Sequence, residues 1–295
     1  MEQELIAIPF GSTKVDALFY KSNKNVSEEI SNTAVIHVHG FLGNFLDGTQ
    51  RFLPPILAKS GYSSLSINTR LANFGLFFGY GIIDDTIPQI DRSVEFLLEQ
   101  GFKNIVVSGY SLGGAVALRY VAMRSAKKYD HIKGVMVLAA PYSMPDSIKR
   151  RWNKWGSEPS YDQIYKEAKA IFKGDPENTE EDRTIVIYKT RGDTYIPEHS
   201  GIYTYKTWWH LASPHAESGK CYKQIEKIQQ PILLVQGWYD EVVDSQETFH
   251  LAQVARDSGN KNVSVFFVDS GHAFEGHEKE LGDIAVGWLN SKFEE

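Results

Sequence analysis

Acyl transfer needs a nucleophile, a base and a group that orients the base. This chain offers all three at intervals. Gly109-Tyr110-Ser111-Leu112-Gly113 fits the pattern G-x-S-x-G. It follows the β-type run Ile105-Val106-Val107-Ser108 and precedes a small-residue helical stretch, Gly114-Ala115-Val116-Ala117-Leu118. A strand-to-helix turn this tight strains its central residue. A β-carbon at Gly109 or Gly113 would collide with the facing strand or helix. The turn pushes the Ser111 hydroxyl above the sheet and leaves the Leu112 N–H for an oxyanion. A serine hydroxyl is a poor nucleophile at neutral pH and needs a base, itself held by a third group. His272 fits as the base, because imidazole takes and returns protons near neutrality. Asp240 fits as the orienter that fixes the imidazole tautomer.

Other residues compete for these roles. Asp244 lies four residues after Asp240 but reads as the N-cap of a helix starting at Ser245. Asp269 is close to His272 in sequence and reads as a turn former. His277 is the rival base and falls in the first turn of a last helix running to about Leu289. His37 and His39 share a strand face and suggest a metal pair. No acid or third histidine sits near them in sequence, whereas catalytic zinc takes three protein ligands. The structural reading of both is preferred, and no metal or cofactor is expected.

The segments around these residues must position them. Val35-Ile36-His37-Val38-His39-Gly40-Phe41-Leu42-Gly43 is a buried strand ending in a His-Gly turn that can aim the Phe41 N–H at the site. Ile232–Gly237 is a second apolar strand, leading to Asp240, and Val263–Val268 a third, leading to His272. Residues 4–10 and 15–20 alternate around Gly11-Ser12 and predict an edge hairpin. Helices are predicted over 49–59 and 86–100, and strands over 33–38, 63–68 and 134–140. Alternating strands and helices imply a mostly parallel sheet with helices on both faces. Between Pro141 and Pro231 that rhythm breaks, over a stretch too long for a plain loop. Residues 1–141 and 231–295 are therefore expected to form the core, with 142–230 an inserted cap. The cap is rich in aromatics: Trp152, Trp155, Tyr161, Tyr165, Tyr188, Tyr195, Tyr203, Tyr205, Trp208 and Trp209. They could simply pack the cap. Trp152, Trp155, Trp208 and Trp209 are the candidates for an apolar substrate lining. The basic run Lys149-Arg150-Arg151 with Lys154 reads as a solvated helix face.

Composition narrows the class. The chain has 295 residues, 42% hydrophobic and 23% charged, as in soluble globular proteins. A net charge of −6 argues against a nucleic-acid partner. The single Cys221 excludes an internal disulfide and a cysteine-cluster metal site. The start is acidic with no long apolar run, and no stretch is long enough to span a membrane. A cytoplasmic enzyme is the expectation.

The order Ser111, Asp240, His272, each just past a strand, resembles the α/β-hydrolase superfamily. The resemblance covers roughly residues 33–141 and 231–293. Within it the chain is most similar to cap-bearing serine esterases and lipases, including cinnamoyl-esterase-like enzymes with a similar His-Gly-Phe turn. The resemblance implies the α/β-hydrolase fold, oxyanion donors at Phe41 and Leu112, and a small-molecule ester or thioester substrate. It implies cleavage of a carboxylic ester through an acyl-enzyme; thioester or amide cleavage would use the same residues. A non-catalytic small-molecule sensor of the same fold is the alternative from another class. Many relatives carry Asp-x-Arg-Gly where this chain has Asn68-Thr69-Arg70-Leu71, so no role is transferred to that loop. Relatives that hydrolyse epoxides or haloalkanes carry Asp where this chain has Ser111.

Overall fold

A computed structural model describes residues 1–293 apart from 42, 73–77, 80, 125–128, 174–182, 188–189, 192–193 and 196–200. In chain order, β1 (Glu2–Phe10) and β2 (Thr13–Lys21) form the expected hairpin. Then come α1 (Glu28–Ser31), β3 (Thr33–Val38), α2 (Leu53–Ser60), β4 (Ser63–Ile67), β5 (Phe78–Gly79) and α3 (Ile83–Glu99). The elbow region is β6 (Asn104–Tyr110) and α4 (Leu112–Met123), followed by β7 (Ile132–Leu138). The inserted stretch holds α5 (Met144–Lys154), α6 (Tyr161–Phe172), β8 (Thr184–Ile187), β9 (Thr190–Arg191), β10 (Thr194–Tyr195), β11 (Gly201–Thr204), α7 (Tyr205–Ala212) and α8 (Cys221–Ile225). β12 (Ile232–Gly237), α9 (Ser245–Asp257), β13 (Val263–Val268) and α10 (Glu278–Phe293) complete the chain.

The main sheet has eight strands in the order β1-β2-β4-β3-β6-β7-β12-β13. β1–β2 and β2–β4 pair antiparallel; every pairing from β4 to β13 is parallel. Helices cover both faces, so the central strands are buried on both sides. Hence β3, β4 and β12 read as continuous buried runs rather than alternating ones. This is the α/β-hydrolase fold. The stretch from Pro141 to Pro231 follows β7, the sixth strand of the main sheet in chain order. It carries a three-stranded sheet, β5-β11-β8, in which β5 comes from the stretch before α3. Its last helix, α8, packs on α4 and α9.

Several boundaries differ from the sequence expectation, among them β7, which spans Ile132–Leu138 rather than residues 134–140. α3 starts at Ile83 rather than residue 86, because Asp85 caps the Ile82 N–H, and Pro88 lies inside the helix. Residues 48–51 form a separate 3-10 turn before α2. α10 continues to Phe293, since Leu289 and Phe293 extend the buried face. Tyr188 lies outside the described residues, as do the side chains of Tyr195 and Tyr203. Among the described residues no helix is long and apolar enough to cross a membrane, and no group of three or more metal-binding side chains occurs.

His37 and His39 serve the fold at the C-terminal end of β3. His37 Nε2 meets Ser64 Oγ at 3.2 Å in β4. His39 Nε2 accepts the Thr69 N–H at 3.2 Å, so its Nδ1 carries the proton and donates to Gly40 O at 2.8 Å. One neutral tautomer thus pins the β3 turn to the loop after β4. Burial pushes the His37 imidazole down to about 3 and that of His39 to about 4. Both are depressed below the unfolded value near ~6.5, so the unfolded chain binds protons that the folded chain refuses. Stability is therefore full above that value and is lost as pH falls toward the folded values. Each histidine should contribute a loss of about 2 kcal/mol between pH 7 and pH 5. Urea unfolding followed by tryptophan fluorescence at those two pH values checks this. A His39→Asn chain should lose about half of the difference; an equal pH dependence with and without His39 would rule the residue out.

Candidate active site

The parallel strands deliver the candidate residues to one edge of the sheet. β6 ends at Tyr110 and α4 starts at Leu112, so Ser111 alone makes the turn, at φ 54° and ψ −119°. Its N–H donates to Leu138 O at 2.8 Å, and its carbonyl accepts from the Gly114 N–H at 2.9 Å. The expected clashes are real. A Cβ on Gly109 would stand 1.9 Å from Gly113 O, and one on Gly113 would stand 2.1 Å from Val38 O. The Leu112 N–H, first in α4, has no carbonyl one turn back to accept it.

Asp240 and His272 come from the loops after β12 and β13. These loops clasp one another. Trp238 N–H donates to Val268 O at 2.9 Å and Tyr239 N–H to Ser270 O at 3.0 Å. Gly237 permits this approach, since a Cβ there would stand 2.4 Å from Ser270 O. The buried Phe274, at φ 57°, anchors the His272 loop beneath.

The result is a chain of hydrogen bonds. Ser111 Oγ lies 3.0 Å from His272 Nε2, and His272 Nδ1 lies 2.7 Å from Asp240 Oδ2. The ionised carboxylate can only accept, so Nδ1 carries the proton and Nε2 is left as the acceptor facing the serine. Asp240 Oδ1 takes the N–H groups of Val242 at 2.7 Å and Val243 at 2.8 Å. The Asp240 side chain is fully buried and that of His272 is 13% exposed. The rivals lie elsewhere. Asp244 caps α9 through the Gln246 N–H at 2.9 Å, and His277 meets Glu280 at 3.0 Å.

Two contacts escaped the sequence. Gln236 Nε2 donates to Asp240 Oδ2 at 2.7 Å. Only its position, four residues before Asp240 as the sole polar side chain of an apolar strand, could have signalled it. The Tyr110 ring lies 5.1 Å from the His272 ring, tilted by 42°. It fits because Gly40 and Gly48 lack side chains there; a Cβ on Gly48 would stand 2.4 Å from the ring. Burial raises the Tyr110 phenol, helped by nearby carboxylates, so it stays neutral.

A cavity of about 30 Å³ lies beside Phe41. Trp152, Trp155, Trp208, Ile148 and Leu211 line it, with Arg151 also at its wall. Three of the four candidate tryptophans thus share one pocket. Trp209 instead stacks on Tyr165 at 5.7 Å and on His215 at 5.1 Å. Trp152 is pinned by donating to Pro159 O at 2.9 Å and meets Trp208 edge to face. Trp155 is only half-buried.

Comparisons with known proteins agree with this architecture. Est1E from Butyrivibrio proteoclasticus, solved with ferulic acid bound, superposes with a TM-score of 0.68 at 17% identity, covering 98% of this chain and 100% of that one. The Pyrococcus furiosus esterase Pf2001 gives 0.64 at 18% identity, covering 99% and 92%. A Paleococcus ferrophilus monoacylglycerol lipase gives 0.64 at 16% identity, covering 99% and 100%. At such identities these likenesses speak to the fold. No curated protein matches the sequence. The family model described as "Serine aminopeptidase, S33" matches residues 81–271, a stretch that runs from the start of α3 to the loop carrying His272, and the chain therefore belongs to that family of α/β-hydrolases.

Proposed function

We propose that this protein is a serine hydrolase that cleaves a carboxylic ester through Ser111, His272 and Asp240. The observation carrying the reading is the continuous relay from Ser111 Oγ to His272 Nε2 at 3.0 Å and from Nδ1 to Asp240 at 2.7 Å. As Ser111 Oγ attacks the carbonyl carbon, its proton passes to His272 Nε2. The carbonyl oxygen becomes an anion, received by the N–H groups of Phe41 and Leu112. Such donors contribute about 2.7–4 kcal/mol each in comparable sites. The tetrahedral centre collapses, the C–O bond to the alcohol breaks, and His272 returns the proton to the leaving oxygen. Water then repeats the sequence on the acyl-enzyme, with His272 again as base. Asp240 stays ionised throughout and stabilises the imidazolium.

The family name raises a second reading, removal of an N-terminal residue from a peptide. An aminopeptidase needs an anionic partner for the substrate ammonium. The pocket beside Phe41 has no carboxylate among its lining residues and has Arg151 at its wall. Its aromatic lining suits an apolar acyl or alcohol group, and the esterases and lipase among the structural neighbours support the same choice. Residues 142–230, which supply most of that lining, are read as a cap over the site.

Replacing Ser111 with Ala should lower kcat for p-nitrophenyl ester hydrolysis by at least about 10³-fold, because relay members act as a unit. The melting temperature should change little. Asp240→Asn should cost about 10⁴-fold, the size of the tautomer effect in a serine protease. Asp244→Asn should cost only the worth of a helix cap, about 1 kcal/mol of stability. Turnover retained in Ser111→Ala, or a crippled Asp244→Asn beside an active Asp240→Asn, contradicts the assignment.

The pocket gives a further expectation. Its volume admits only a small group, and the half-buried Trp155 is the wall least fixed in place. Trp155→Ala should therefore raise kcat/KM for longer acyl esters relative to acetate by about 10-fold or more, since contacts of this size discriminate by about 1–3 kcal/mol. Trp209→Ala, which alters the stack with Tyr165 and His215, should change all chain lengths in parallel. An acyl-length series on both variants decides, and parallel behaviour of Trp155→Ala would place the substrate elsewhere.

A further inference from the structure

We propose that Gln236 is a positioning residue of the relay: its side-chain amide holds the Asp240 carboxylate aligned for His272. The proposal rests on the reading of Ser111, His272 and Asp240 as the catalytic group.

Gln236 is fully buried at the end of β12, where every neighbour in the strand is apolar. A buried amide left unpaired would cost about 1–3 kcal/mol, so its partners explain its presence. Nε2 donates to Asp240 Oδ2 at 2.7 Å and to Val243 O at 3.3 Å, and Oε1 accepts from Thr248 Oγ1 at 3.1 Å. The Val243 carbonyl and the carboxylate can only accept. The atom between them must therefore be the NH₂ group, and the amide has one possible orientation. Thr248, on α9, and Val243, in the preceding loop, hold it there from either side.

The Asp240 carboxylate then has four donors: the Val242 and Val243 N–H groups on Oδ1, and His272 Nδ1–H and Gln236 Nε2–H on Oδ2. A carboxylate has about four lone-pair sites, so this one is saturated. Gln236 has a second consequence, because it shares Oδ2 with His272. Its donation withdraws negative charge from the oxygen facing the imidazole and moderates the pull on the proton. Removing it leaves more negative charge on the oxygen facing the imidazole. That charge favours the protonated ring, so the acid limb of the rate profile moves to higher pH.

Other ionisable groups face this centre. Tyr110 packs on the His272 ring. Asp47, Glu241 and Glu275 act on Tyr110 through space. Arg151 donates to Val242 O at 3.5 Å, and Arg150 pairs with Glu247. All remain in place when Gln236 is changed, so a shift between variants reports Gln236.

The test is the pH profile of kcat and kcat/KM on one p-nitrophenyl ester for wild type, Gln236→Leu and Gln236→Glu. Melting temperatures are measured alongside. Gln236→Leu keeps the shape and removes the donor. It should lower kcat about 10- to 100-fold with KM unchanged, the range for a hydrogen bond to a charged group, and move the acid limb up by about one pH unit. Gln236→Glu should restore activity at lower pH, where a protonated glutamic acid donates to Asp240. It should lose activity at higher pH, where two carboxylates would share the site, giving a bell where wild type has a plateau. A Gln236→Leu enzyme with the wild-type profile and kcat, whatever its melting temperature, overturns the proposal. If Gln236→Leu does not fold, Gln236→Glu decides alone: a bell supports the role, and a wild-type profile overturns it. The catalytic reading fails separately, by turnover in Ser111→Ala; a dead Ser111→Ala beside an unshifted Gln236 series sinks this proposal only.

Discussion

The turn at Ser111 constrains everything around it. A non-glycine residue at φ 54° is held there at a cost of order 1–3 kcal/mol. The turn persists because its surroundings allow nothing else. Ser111 is tied to Leu138 on the neighbouring strand, and the start of α4 lies so close to β6 and β3 that no side chain fits at Gly109 or Gly113. The second clearance does double service. Gly113 lies against the carbonyls of both Val38 and His39. The approach that seats α4 on the sheet therefore also brings the end of β3, and with it the turn carrying Phe41, against the helix N-terminus. The Ser111 turn and the turn carrying Phe41 are thus set by one packing contact.

Asp240 and His272 must then meet a hydroxyl whose position they do not control. Parallel register helps, because β12 and β13 end side by side, with Gly237 opposite Val268. The clasp through Ser270 fixes the two loops to each other before either touches the serine. What remains is the cost of a charge under cover. Coulombic attraction to the neighbouring histidine does not meet it alone. Backbone N–H groups from Val242 and Val243 and the Gln236 amide do. The relay is thus held from behind by neutral donors, which keep their strength at every pH where the protein is folded.

Much of this was legible in the sequence, and the reason is physical. Buried parallel strands read as apolar runs, and a turn that excludes side chains reads as glycines. Ser111, Asp240 and His272 could be named because each follows such a run. The rest was hidden where sequence period and structure part company. Gln236 looks like a polar interruption of a core strand, and only three-dimensional pairing shows what it serves. Pro88, the sixth residue of α3, masks the start of the helix, because a proline at that depth removes an i→i−4 hydrogen bond and reads as a break. The pairing of β5 with β11 joins Phe78 to Ile202 over two residues, too short to leave a period and too distant to leave a local signal. Trp209 has the composition of a substrate contact and the geometry of a packing residue. Composition alone cannot separate the two, because an aromatic wall and an aromatic core bury the same surface.

The division of labour between core and insertion follows from these constraints. The residues of the relay all sit on loops at the C-terminal ends of β6, β12 and β13, where small displacements would break bonds of 2.7–3.0 Å. The pocket is built differently. Phe41 is its contribution from the core, while Ile148, Trp152, Trp155, Trp208 and Leu211 come from α5, α7 and the turn after α5. Those helices pack on each other and on α6 through edge-to-face aromatic contacts of Trp152 with Trp208 and Tyr161, which tolerate sliding better than hydrogen bonds do. Substitutions there can reshape the pocket without moving Ser111, because no hydrogen bond of the relay runs through those helices. Only Phe41 belongs to both systems: its N–H faces the chemistry in the proposed mechanism, and its ring faces the pocket. A change of ring at that position alters both at once, whereas changes at Trp152 and Trp208 alter the pocket wall alone.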